Sequence, residues 1–114
     1  MHIVLIKKLV GFSYYGNIPE IPNTEDDRFE VFPLTFDDRD LIMSFIFDIN
    51  NVCKTSLDYG DVEFFDNEQC RLLEEVINKS EFNSLNKRQL QLIEVIKRFS
   101  KEAQALKTGI VIEL

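Results

Sequence analysis

The stretch Thr35–Cys53, TFDDRDLIMSFIFDINNVC, constrains this chain most, because read as a helix it is apolar on two sides. Leu41, Ile42, Phe45, Ile46, Ile49, Val52 and Cys53 recur at three- and four-residue spacing, which at roughly 100° per residue gathers them on one broad face. Met43 and Phe47 fall opposite, among Asp40, Ser44, Asn50 and Asn51, where a simple surface helix carries polar groups. Thr35 with Asp38 makes a capping box, and Asp37, Asp38 and Asp40 suit the positive end of the helix dipole. The spacing predicts one helix from Phe36 to about Cys53.

The remaining elements follow from period and punctuation. Residues 3–10, IVLIKKLV, open as a near-continuous aliphatic run, the mark of a central strand covered on both faces. FSYYGNIPEIPNTEDD is a long connection rich in turn residues, and RFEVF, residues 28–32, reads as a short edge strand ended by Pro33. DVEFF, residues 61–65, alternates as a strand. Asp66 with Gln69 caps a helix whose stripe is Cys70, Leu73, Val76 and Ile77, ending near Lys79. Asn83 or Ser84 caps a longer helix with stripe Leu85, Leu92, Ile96, Phe99, Ala103 and Leu106, leaving Leu90 outside it. Gly109 stops that helix, and IVIEL, residues 110–114, is the last strand. The expected fold is one α/β domain over residues 1–114, ordered strand-helix-strand-helix-helix-strand. Strands separated by helices favour right-handed crossovers, which would give it a small, mostly parallel sheet of three to four strands packed with three helices.

Charge narrows the function classes. Residues 1–68 hold fourteen acids and five bases, whereas the chain as a whole is at −7. An acidic half repels phosphate, so neither nucleic acid nor an anionic membrane is an expected partner, and a basic protein is. HIVLIKKLVGF has no cationic n-region before its apolar run, which Lys7 and Lys8 interrupt, so neither a signal peptide nor a transmembrane span is expected there, and isolated Cys53 and Cys70 read as reduced core residues, which suits the cytoplasm. The one histidine is His2, and no GxSxG, HExxH, P-loop, CxxC or GxGxxG pattern occurs, so an enzyme is not expected. Glu25, Asp26 and Asp27, or Asp58, Asp61 and Glu63, lack calcium-loop spacing; neither a metal nor another cofactor is expected.

IEVIKRFSKEAQALKTGIVIEL runs an amphipathic, basic helix through a glycine into an aliphatic strand, and SYYGN supplies Tyr14, Tyr15 and Gly16. The first of these, in the C-terminal half, resembles the barstar family, small acidic proteins that inhibit a basic secreted ribonuclease inside the cell that makes it, and the second resembles the tyrosine-tyrosine-glycine segment of the same family. The resemblance implies an acidic inhibitor.

Two readings of the candidate site stand side by side. Asp37, Asp38 and Asp40 are helix caps, or they join Met43, Phe47, Asp48 and Asn51 as an apolar centre with an acidic rim suited to a basic protein. Met43 and Phe47 are open, or the connection from Phe12 to Phe32 roofs them. Tyr14, Tyr15, Tyr59 and Asp61 are loop candidates for the same contact, the tyrosines otherwise pinning loops to the core. The expected function is a non-enzymatic acidic binding protein that occupies a basic partner surface, as a toxin-neutralising immunity or inhibitor protein does. The alternatives are a self-associating scaffold subunit, a homodimer through the Thr35–Cys53 helix, and a small carboxylate-based enzyme.

Overall fold

In the computed structural model, which describes residues 1–24 and 26–114, the aliphatic run becomes β1 (His2–Ile6). It lies inside a four-stranded sheet ordered β4-β1-β6-β5, with β4 at Phe29–Pro33, β5 at Val62–Asp66 and β6 at Gly109–Glu113. The two central strands are buried on both faces. Ile3, Leu5, Ile110 and Ile112 meet the helices, while Val4, Ile6 and Val111 meet a second, smaller core. That explains why neither strand alternates polar with apolar.

The expected mostly parallel sheet is corrected: every neighbouring pair is antiparallel. The reason is helix number. Between β5 and β6 the chain forms α3 (Asn67–Lys79) and α4 (Lys87–Leu106), leaving the sheet at Asp66 and returning at its register partner Gly109. One helix would carry the chain to the far end of the sheet, and two bring it back. Between β1 and β4 the connection also returns to its start, so that Ile6 pairs with Phe29. Within it β2 (Tyr14–Tyr15) and β3 (Ile18–Pro19) form a hairpin around Gly16 and Asn17, with Gly16 at φ 62° as a tight two-residue turn demands.

The expected three helices are four, because the Thr35–Cys53 stretch breaks into α1 (Phe36–Met43) and α2 (Ile46–Cys53). At the break the Ser44 hydroxyl donates to the Leu41 carbonyl at 2.6 Å, and Phe45 leaves helical geometry at φ −125°, ψ 20°. Phe45 gains a buried edge-to-face contact with Phe82, 5.4 Å between centroids. Both capping boxes read from the sequence form, at Thr35/Asp38 and Asp66/Gln69. Helix α4 starts later than expected, capped by Asn86 with Gln89, and Ser84 sits before it at φ 54°. Leu90 is exposed and β4 is an edge strand, as the pattern indicates.

The long connection covers the second face of the sheet. Phe12 packs on Phe29 at 6.2 Å, Arg28 lies over the Phe12 ring at 4.4 Å, and Ile18 and Ile21 join the same cluster. Its acidic run is neutralised locally: Asp26 pairs with Arg28 at 2.6 Å and Asp27 with Lys8 at 2.9 Å, while Glu25 lies outside the described residues. Hydrogen bonds from Arg28 and from Lys8 hold these two carboxyls below the usual range.

Cys53 and Cys70 are free and buried, and burial pushes their thiols up to about 11 and about 12. With almost no thiolate at pH 8, both should resist iodoacetamide in the folded protein and react once urea unfolds it. Fast labelling of the native state would contradict this.

Candidate functional site

The residues expected at the site divide among three places. Asp38 is only 2 % exposed and belongs to the interior: Arg88 of α4 grips its carboxylate through Nε at 3.1 Å and Nη2 at 2.7 Å. Burial works to raise the Asp38 pKa, but Arg88 and the Thr35 amide and hydroxyl outweigh it and hold the carboxyl below its ordinary value. Asp38 is therefore corrected from partner contact to structural tie. Met43 is half-buried against the main core and cannot anchor a partner. Tyr14 and Tyr15 sit on the hairpin over the sheet's other face, away from the helical groups.

The rest are spread over neighbouring hollows: Asp37 and Asp40 line one with Asn86, Arg88 and Gln89 of α4, whereas Phe47 and Asn51 line another. Phe36 in the first turn of α1 is 68 % exposed, and Arg39 one turn on lies between two rings, 5.2 Å from that of Phe36 and 4.6 Å from that of Tyr59. Tyr59 thus docks the turn before β5 onto α1. Beside it Phe47, 78 % exposed, borders a hollow of about 420 Å³ with Ile46, Asn50, Asn51, Leu57 and Asp58. Asn50 shapes this hollow by clasping the loop after α2. Its Nδ2 donates to the Leu57 carbonyl at 2.9 Å, and its Oδ1 accepts from the Leu57 amide at 2.9 Å and the Thr55 hydroxyl at 2.8 Å. Lys54 allows the loop to turn back by adopting φ 59°.

The roof expected over Met43 and Phe47 is absent. The connection spends its apolar side chains on the sheet's second face, and Phe47 is left in solvent. Asp37, Asp40, Asp48, Asn51 and Asp61 are all exposed. Asp48 is separated from Asp37 and Asp40 by the helix break and borders a different hollow with Val52, Val76 and Lys79.

Charge pairing sets residues 37–66 apart. Elsewhere most acids are met by bases, as Glu30 is by Arg98 and Glu68 by Arg71, Glu20 and Glu81 being exceptions among the described residues. From residue 37 to 66, Asp37, Asp40, Asp48, Asp58, Asp61, Glu63 and Asp66 hold no ion pair among the described residues. Arg39 and Lys54 are the only bases in that span.

Phe36 and Arg39 were missing from the expected site. Their signal is present: Phe36, Arg39, Asp40 and Met43 lie at i, i+3, i+4 and i+7, on the side of α1 away from the Ile42 and Phe45 stripe. His2 pairs with Glu113 at 3.1 Å at an end of the sheet; burial lowers its pKa, partly offset by Glu113. Among the described residues no three His, Cys, Asp or Glu converge as metal ligands, and no helix is long and apolar enough to cross a membrane. No family model, curated protein or solved structure matches this chain.

Proposed function

We propose that this chain is a non-enzymatic binding protein that docks on a basic surface of another protein through the face formed by α1, α2 and residues 58–61, acting as a toxin-neutralising immunity or inhibitor protein. The observation that carries this reading is that Phe36, Phe47 and Tyr59 are exposed on a stretch, residues 37–66, whose exposed carboxylates hold no ion pair among the described residues, with Asp58 beside the Phe47 hollow. Aromatic anchors beside an arginine, ringed by charge of one sign, are the composition of a binding hot spot with electrostatic steering. Self-association through the same face would set acid against acid, which favours a basic heterologous partner.

The test is binding to a panel of basic nucleases and toxins at low and at high salt. Affinity should fall steeply between about 0.05 and 1 M salt as the Debye length shrinks. Phe47→Ala should weaken the complex by roughly 30-fold, a hot-spot loss, while leaving stability within about 0.5 kcal/mol, since the ring buries little in the free protein. Binding indifferent to salt, or no binding across the panel, would sink the proposal.

A further inference from the structure

Strand β5 is open along its outer side. It pairs with β6 alone, and among the described residues no backbone group outside β6 bonds to Val62, Glu63 or Phe64. Folded proteins usually close such an edge with proline, lysine or a bulge, and VEFFD carries neither residue and pairs residue for residue with β6. The opposite edge is better defended. Strand β4 ends in Pro33, which has no amide to offer, and its one acid, Glu30, is neutralised by Arg98 at 2.8 Å and by Lys7 at 3.9 Å.

The acids on and just before β5 carry no balancing base, although Asp66 caps α3 by accepting from the Gln69 amide at 2.8 Å. Asp61, Glu63 and Asp66 have no ion pair among the described residues; Glu63 accepts only from the Ser56 amide at 2.9 Å and hydroxyl at 3.2 Å. On the second face Val62 walls a groove of about 310 Å³ with Tyr15, Ile18, Pro19 and Val111, and Glu20 stands at its side.

We propose that the outer edge of β5 accepts an extended segment of another protein, with lysine or arginine alternating with apolar residues. Main-chain hydrogen bonds would extend the sheet by one strand, the carboxylates would select the basic side chains, and the groove beside Val62 would take an apolar one. A second copy of this chain is the wrong occupant, because β5 against β5 brings three carboxylates from each copy to one seam. The inference stands on the strand edge and its charges, independently of Phe36 and Phe47.

Full-length protein titrated at low salt with a peptide alternating lysine and valine provides the test, read by amide hydrogen exchange. At a peptide concentration about ten times its Kd, the outward amides of Val62–Phe64 should exchange about tenfold more slowly by mass action. A peptide with proline at its centre should lose that protection, and Asp61→Lys should weaken the lysine peptide while favouring one that alternates glutamate and valine. Absence of binding at millimolar peptide, protection that the proline peptide matches, or protection mapping away from β5 would each overturn the proposal.

Discussion

Gly109→Ala is expected to remove about 3 kcal/mol of stability, the upper end of the usual overpacking range. A Cβ at this position would collide with the Phe65 carbonyl oxygen and stand 2.6 Å from two carbons of the Phe64 ring. Neither neighbour can withdraw: the Phe65 carbonyl belongs to a strand paired through all five residues, and the Phe64 ring packs in the second-face core. The defect is one of space at the joint where α4 feeds β6, and it would disturb the adjacent Thr108 hydroxyl, which donates to the Ile6 carbonyl. Gly60 is the control. It has open space and φ 78°, so alanine there should cost only the left-handed strain of about 1 kcal/mol. Urea unfolding measures both, and a loss below about 1 kcal/mol at Gly109 would contradict the packing argument.

Arg88→Met is expected to cost about 2 kcal/mol at pH 7. The buried Asp38 carboxylate would lose its two-point partner, and breaking a buried pair costs about 3–5 kcal/mol, discounted here because the arginine is 41 % exposed. Arg88 also lies 4.7 Å over the Phe32 ring and donates to the Pro33 carbonyl at 3.2 Å, so it joins α4, α1 and the end of β4. The pH dependence has a definite sign. The folded-state pKa of Asp38 is lowered, so its contribution is fully present above its ordinary value of 3.8 and is lost as pH falls through the folded value. Without the guanidinium that offsets burial, Asp38 in Arg88→Met has a folded-state pKa above that in the wild type, so the gap between the two proteins should narrow as pH falls through the interval between those two values. A gap that stays unchanged at pH 2 would assign the effect to lost packing on Phe32 instead.

Those two residues also mark what could be read from the sequence and what could not. Periodicity located nearly every element, and the double-sided burial of β1 was visible in its unbroken aliphatic letters. Strand direction was misread even though two helices were expected before the last strand, an even number that returns the chain to the end of the sheet it left, and no local pattern marked the break at Ser44–Phe45, where the Phe45 ring meets Phe82. Asp38 shows the limit at the site. Its capping role was legible three residues from Thr35, but Arg88 lies fifty residues away and no local pattern announces the pairing. Phe47 was the reverse case, a local oddity whose exposure turned on where a distant loop laid its apolar groups.

The pairing of β1 with β6 has a consequence for biosynthesis. Ile3 finds its neighbour in Ile112, so the strand at the middle of the sheet waits for a partner translated roughly a hundred residues later, on the order of 5–20 s at ribosomal speeds. Until then an aliphatic ribbon with little polar cover is exposed to chaperones and to other nascent chains, and only the β1–β4 pairing can shield one side of it. The β5-α3-α4-β6 unit, by contrast, is contiguous in the chain and can form as soon as it is made. Shortening the chain before Gly109 would strand β1 between partners that never meet, making the protein prone to aggregate during its own synthesis.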